Sequence, residues 1–352
     1  MKRYLKVFLV IFLFVTIFLV GCENELEALS VPESQVPTIT ILAYHRIIDN
    51  GPSFIDISTS TFENHLQWLK ATQYNVIDFN TFTGFLEGKN TLPEKPVLIT
   101  FDDGYKETLT NAAPILAKYN LPATLFIYSE RIKNSPSPGG LTVSELQELQ
   151  KLGWSIQAHT ISHADLSQFS RSNKSGAVWE MKDNKERLEK LLGTPVTGLA
   201  YPYGAYTDEI ESWAKEVGFT SCFLIEEGPN TLTPNPYRLK RHMLYAKDTL
   251  EDFARKVASA PLNVTRTVPS QAQVINYRPV KVIADVELPP ELNVIEVYAD
   301  LENHVLDAKF DQQKQRIVVE TPDLGYGHHN LTIKILGSDK RTYTYGWSFV
   351  CR

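Results

Sequence analysis

Three short runs place acids, imidazoles and a tight turn in positions suited to chemistry. Asp102 and Asp103 follow the apolar run Val97-Leu98-Ile99-Thr100-Phe101. Two adjacent carboxylates then stand where α/β folds build their sites, at the C-terminal end of a strand. Asp-Asp-Gly is equally a turn sequence, because Gly104 accepts positive φ. His159 and His163 follow the strand-like run Trp154–Ala158. On a helical turn, residues four apart share a face about 5–6 Å apart, so two imidazoles can reach one ion. One capping and one solvated histidine would explain the pair as well. A carboxylate partner sharpens it, since a His₂-carboxylate set leaves coordination positions for water and substrate, as a hydrolytic site requires. The third run, Tyr201-Pro202-Tyr203-Gly204, follows Thr197–Ala200. Such a turn either aims a backbone N–H into a cleft as an oxyanion donor or is a rigid turn with aromatic packing.

The elements that must position these runs alternate along the chain. From Thr38, short apolar runs (Ile39–Tyr44, Val97–Phe101, Ala123–Tyr128, Ser155–Ala158, Val196–Tyr201, Thr220–Leu224) are interleaved with amphipathic stretches (Thr61–Thr72, Thr108–Tyr119, Thr142–Leu152, Ser175–Leu192, Asp208–Val217). That pattern predicts βα units around a parallel sheet or barrel over residues 38–262. Ser60 or Thr61 with Glu63, and Thr142 with Glu145, supply helix starts. After Pro261 the texture changes to short alternating runs broken by Pro, Gly, Asn and Asp. Residues 263–273 read as a linker and 274–352 as a small all-β sandwich. The ending, Gly327–Ile335 followed by Tyr343–Cys351, resembles the last hairpin of bacterial immunoglobulin-like modules.

Taken in order, Thr100-Phe101-Asp102-Asp103-Gly104-Tyr105, His159-Thr160-Ile161-Ser162-His163 and Tyr201-Pro202-Tyr203-Gly204 resemble the first three motifs of the polysaccharide deacetylase family, the NodB-homology domain. The resemblance covers roughly Thr38 to Ala260 and implies a distorted (β/α) barrel. It implies that Asp103, His159 and His163 hold a divalent ion, usually zinc in this family, and that Asp102 is the general base. It makes the backbone N–H of Tyr203 the oxyanion donor, and it puts Tyr105 and Tyr201 in the substrate pocket; Trp213 either lines that pocket or packs in the core, the usual role of a single helical Trp. Two departures stand out. Many members carry an arginine two residues before the proline of the third motif, where it orients the base, and this chain has Ala200. The late Leu-x-x-His that supplies a general acid has its nearest counterpart in Leu239-Lys240-Arg241-His242, so His242 is one candidate acid, and a basic surface run is the plainer reading. His45, in Tyr44-His45-Arg46, is a second candidate acid or pocket residue. Tyr-His at this place, with Ala-Tyr-Pro-Tyr-Gly in the third motif, resembles the branch acting on poly-β-1,6-N-acetylglucosamine.

The bulk properties agree with an extracytoplasmic enzyme. Lys2, Arg3 and Lys6 precede the apolar run Val7–Val20, the charged and hydrophobic parts of an export signal over residues 1–21. Leu19-Val20-Gly21-Cys22 resembles a bacterial lipobox, which makes Cys22 a lipidation site and residues 22–37 a tether to the membrane. An uncleaved membrane anchor is the alternative, although the run is shorter than the roughly 20 residues that span a bilayer. A formal charge of −6 with 22% charged residues shows no basic excess, which sets nucleic acid aside as a partner. The expectation is metal-dependent N-deacetylation of an N-acetylglucosamine polymer, with peptidoglycan or chitin-like glycan as other substrates. A non-catalytic cell-surface glycan-binding lipoprotein is the alternative, and a small-molecule amidohydrolase a third reading. Cys222 and Cys351 carry no implied pairing.

Overall fold

The computed structural model describes residues 31–169, 171–301 and 304–352. The expected export signal, Cys22 and the first part of the expected tether lie outside the described residues. No helix among the described residues is long and apolar enough to cross a membrane.

Strands β1 (Thr38–Tyr44), β2 (Pro96–Phe101), β3 (Thr124–Ile127), β4 (Ser155–Ala158), β5 (Gly198–Ala200) and β6 (Ser221–Phe223) lie side by side and parallel. Every residue of β2 and β3 is buried. A parallel sheet covered on both faces asks for continuous rather than alternating apolar runs, which is the pattern these segments show. Asn75–Ile77 adds to the edge of β2, and Asn230–Thr231 pairs antiparallel with β1. The barrel is closed by one extended segment. Leu239 bridges to Phe223 at the end of β6, and β7 (His242–Met243) pairs with β1.

Helices α1 (Thr59–Ala71), α2 (Phe79–Leu86), α3 (Ala113–Lys118), α4 (Val143–Lys151), α5 (Lys174–Leu192), α6 (Asp208–Val217) and α7 (Leu250–Val257) connect these strands. The capping box at Thr142 and Glu145 forms as expected. Helix α1 begins earlier than the sequence suggests, capped by Ser58, whose Oγ accepts the Thr61 N–H at 3.0 Å. The stretch Thr108–Tyr119 opens as a π turn over Thr108–Ala112 before α3. Pro114 falls where the π turn gives way to α3.

The C-terminal part is all-β, as expected, but it is one rolled sheet of nine strands rather than two stacked sheets. Its main strands are β8 (Val264–Val268), β9 (Lys281–Val286), β10 (Val294–Leu301), β11 (His304–Asp311), β12 (Arg316–Glu320), β13 (Gly327–Gly337) and β14 (Thr342–Cys351). β11 causes the roll. Its first half pairs with β10 and its second half with β12, so one strand passes from one face of the core to the other. Trp347, Phe349, Ile333 and Ile317 fill the inside. Residues 263–273 are correspondingly not a free linker, because Val264–Val268 pairs with β9. Its middle residues, Thr265 and Arg266, are exposed, and so polar a segment gives little strand signal. Cys222 and Cys351 are buried and free, each in a different core.

The sheet is seated on the barrel by close approach and by charge. A Cβ on Gly346 of β14 would lie 2.6 Å from the Glu227 backbone nitrogen, so only glycine lets the two backbones come this near. Lys334 of β13 pairs with Glu227 at 2.7 Å, and Lys256 of α7 stands 3.7 Å from the same carboxylate. Burial pushes the Glu227 carboxyl up, but Lys334 and Lys256 outweigh it and hold it at about 2. The unfolded value of a glutamate is about 4.3. The folded value is the lower one, so this stabilisation is fully present above the unfolded value and is lost as pH falls toward about 2. Replacing Lys334 by Met is expected to cost roughly 3 kcal/mol, the low end for a broken buried pair because Lys256 remains. Denaturant unfolding of Lys334→Met between pH 7 and 3 should also show a weaker loss of stability with acid than the parent protein.

Candidate active site

At the C-terminal mouth of the barrel, β2, β4 and β5 deliver the three motifs to one cavity of about 560 Å³, lined by Asp102, Asp103, His159, His163 and Tyr203 among others. Asp103 Oδ1 lies 3.3 Å from His163 Nε2 and 3.6 Å from His159 Nε2. Oδ1 is buried with no hydrogen-bond partner. Tetrahedral zinc with N and O ligands at about 2.0–2.1 Å needs ligand atoms about 3.3 Å apart. The donor set therefore fits a small divalent ion. The three ligand atoms lie within 4.8 Å of one another, the one such group among the described residues. His159 Nδ1 donates to the Ala200 carbonyl at 2.7 Å, which fixes the ring and turns Nε2 toward Asp103.

The histidines do not sit on a helical turn, as their spacing suggests. They lie in a loop in which Thr160 and His163 have φ of 67° and 61°, and Asp103 has φ 74°. Helix α5 holds that loop. Glu180 accepts the N–H groups of Ile161 at 2.9 Å and Ser162 at 3.0 Å, and the Ser162 hydroxyl at 2.6 Å. One turn further, Asn184 Oδ1 accepts the His159 N–H at 3.1 Å. Gly104 closes the acidic turn at φ 84°, where a side chain would strike Ile127 at 2.5 Å.

Asp102 is 2% exposed, and a buried carboxylate persists as an ion only if it is paired. Its partner is Arg241, fully buried, which donates from both terminal nitrogens to the two carboxylate oxygens at 2.7 Å each. Burial raises the Asp102 pKa, but the Arg241 and His159 charges outweigh it and hold it below the ordinary carboxylate range. Asp103 is treated alike: burial raises it, and the neighbouring imidazoles of His159 and His163 hold it far lower. Both acids are ionised at neutral pH. Arg241 also donates from Nε to the Leu224 carbonyl at 2.7 Å, tying the barrel-closing segment to the end of β6.

The comparisons with known proteins agree with this geometry. Residues 89–222 match the family model described as polysaccharide deacetylase. The polysaccharide deacetylase-family protein YxkH of Bacillus subtilis is 30% identical over 203 residues, covering 58% of this chain and 70% of YxkH. The chain belongs to the polysaccharide deacetylase family. It is 28% identical over 237 residues to the poly-β-1,6-N-acetyl-D-glucosamine N-deacetylase of Staphylococcus epidermidis, covering 61% of this chain and 81% of that protein. Among solved structures, the Streptococcus pyogenes deacetylase PplD in complex with acetate superposes with a TM-score of 0.58 at 27% identity, over 63% of this chain and 99% of PplD.

Within this deacetylase, several site residues stand elsewhere than expected. His242 is not at the reaction centre: it is fully buried, its Nε2 lies 3.3 Å from Ser259 Oγ, and burial lowers its pKa to about 3. Successive residues of an extended segment point to opposite sides, so Arg241 and His242 cannot both face Asp102. Arg241 takes the inner side, while Lys240 and His242 take the outer one. Tyr201 is core, stacked on Tyr206 with centroids 5.6 Å apart. Trp213 is core as well, because the buried side of α6 packs against the barrel. Tyr105 stays beside the site, its ring covered by the Arg131 guanidinium at 4.0 Å. His45 and Tyr203 line the cavity, the latter ring edge-on to His163 at 4.6 Å.

Arg241, Glu180 and Asn184 were not singled out by their sequence context. Arg241 answers the absence of arginine at Ala200: the guanidinium paired with Asp102 comes from the segment that closes the barrel instead of from the third motif. Replacing Arg241 by Met should lower kcat/KM at least about a hundredfold, since the Asp102 carboxylate is left buried and uncompensated. Arg241→Lys should recover only part, because an ammonium cannot reproduce the two parallel bonds. Metal content measured by mass spectrometry should fall to trace levels in His163→Ala but stay stoichiometric in Arg241→Met.

Proposed function

We propose that this protein is an exported, lipid-anchored deacetylase that hydrolyses the acetamide groups of an extracellular β-1,6-linked N-acetylglucosamine polymer, with a zinc ion as its metal. The observation that carries the catalytic reading is the Asp103–His159–His163 cluster beside an ionised, Arg241-paired Asp102 in one cavity. The linkage is supported by the similarity to the staphylococcal enzyme and by the Tyr44-His45 and Ala200-Tyr201-Pro202-Tyr203-Gly204 sequences. Export and lipidation rest on the basic, apolar and Gly21-Cys22 pattern of the first residues. Arg241 favours turnover over a purely binding role, because a buried charge pair directed at the base has no use in a passive lectin.

When bound, a divalent ion at this cluster supplies Lewis acidity toward the acetamide carbonyl and makes the attacking water more acidic. Asp102 takes the proton from that water on a lone pair that Arg241 leaves open. The Tyr203 turn, with φ 61°, presents its backbone to the developing oxyanion. As the C–N bond breaks, acetate departs and the sugar nitrogen must gain a proton. His45 is the residue placed to give it. It lines the cavity, and its Nδ1 is buried without a hydrogen-bond partner. Burial lowers its pKa, and the charges of Asp102 and Asp103 offset that only in part, leaving it below the ordinary histidine value.

Acetate release from β-1,6- and β-1,4-linked oligomers and from peptidoglycan ranks the substrates, with Asp102→Asn expected to fall about 10²–10⁴-fold on all of them. His45→Gln separates the acid from the base. Its loss should be similar on the amide but only a few-fold on 4-nitrophenyl acetate, whose nitrophenolate leaves without a proton, whereas Asp102→Asn should be slow on both. Cys22→Ala should move the protein from the membrane fraction to the medium, and its retention in the membrane would favour an uncleaved anchor.

A further inference from the structure

The reaction cavity is not built by the barrel alone. Its far wall is the outer face of the C-terminal sheet, where His328, Asn330 and Thr332 of β13 and Asp300 of β10 line the same space as the catalytic motifs. The alternation of β13 explains how. Leu331, Ile333 and Ile335 point into the sheet's own core, so residues 328, 330, 332 and 334 form a polar stripe on the opposite face. Asp300 stands directly across from Thr332, and Tyr298 across from Lys334, which widens the stripe to two strands. From His328 to Lys334 it runs about 20 Å at strand spacing, longer than one hexopyranose ring.

A second cavity of about 220 Å³ continues along this stripe past Lys334 and Tyr298, and it meets the reaction cavity at Glu227, Tyr245 and Asp300. At the junction the exposed Phe54 ring stacks on Tyr245 with centroids 6.0 Å apart. Asn330 is the closest tie between wall and chemistry. Its Nδ2 donates to the Tyr203 carbonyl at 3.1 Å, while its Oδ1 is buried without a hydrogen-bond partner. A buried acceptor left unpaired is costly, and a ligand hydroxyl or amide N–H would satisfy it. Aromatic faces beside convergent polar groups are what an oligosaccharide site presents.

We propose that the C-terminal sheet forms one wall of an extended glycan groove, in which Asn330, Thr332 and Asp300 bind the sugar units next to the one that is deacetylated. The occupant is an N-acetylhexosamine chain, and its identity rests on the deacetylase reading above. The sheet is thus a subsite for polymer length, and not a spacer.

Calorimetric binding to the full-length protein in detergent tests this, with β-1,6-linked N-acetylglucosamine dimer and pentamer as probes and acetate release measured in parallel. The parent protein is expected to bind the pentamer at least about tenfold more tightly than the dimer, as one or two added hydrogen bonds would give. In Thr332→Tyr, which fills the groove, and in Asn330→Ala, which removes its nearest polar group, that ratio should shrink to about twofold or less. Circular dichroism establishes that each variant is folded. A parent ratio near one, or a ratio unchanged in both folded variants, overturns the groove. Acetate release with a parent ratio near one would overturn the groove and leave the deacetylase reading standing. Pentamer binding that the variants abolish, without acetate release from any oligomer, would support the groove and sink the deacetylase reading.

Discussion

The site depends on one buried ion pair. Taking Asp102 out of water costs several kcal/mol, and only a partner with matching geometry offsets that. Arg241 provides it with two parallel bonds, and it comes from the segment that crosses from β6 back to β1. The Asp102 carboxylate is therefore held ionised by the same residues that close the barrel. That segment is in turn fixed from outside. Lys240 donates to the Gly346 carbonyl at 2.7 Å and lies 3.5 Å over the Tyr345 ring, so β14 reaches Asp102 through two consecutive side chains.

The metal cluster is built on backbone that most residues avoid. Asp103, Thr160, His163 and Tyr203 all have positive φ, a conformation that costs free energy for residues other than glycine and persists only where neighbours enforce it. The enforcing groups are visible: Glu180 and Asn184 on α5 for the histidine loop, Gly104 beside Asp103, and Asn330 for the Tyr203 turn. The convergence of three ligand atoms within bonding range of one ion is thus set by hydrogen bonds from elements far away in sequence. Removing water from such a site strengthens each of these electrostatic terms.

The rolled sheet and the barrel behave as one working unit. Gly346 lets their backbones approach, the Glu227–Lys334 pair fastens them, and the cavity opens along the seam. Clefts between domains are favoured places for ligand sites because two surfaces can each contribute convergent polar groups.

The barrel's main parallel strands, most helix boundaries, and the five residues Asp102, Asp103, His159, His163 and Tyr203 that line one cavity were legible in the sequence, because each depends on local information. Continuous apolar runs mark strands buried on both faces, and a motif at a strand's C-terminal end is carried to the site wherever the strand goes. Tertiary structure decided everything that depends on direction across space. Whether Arg241 or His242 faces the base follows from the register of a two-residue strand, which no periodicity over so short a length reveals. Tyr201 reads as a pocket residue by motif position, but the packing of β5 turned it into core, and of the two roles open to Trp213 the packing of α6 selects the core. The strand in residues 264–268 was hidden by exposed polar residues, and the rolled form of the sheet by β11 changing partners midway. The contribution of Asp300, Asn330 and Thr332 to the cavity arises only once two separately folded surfaces meet, and that meeting is encoded in no single stretch of chain.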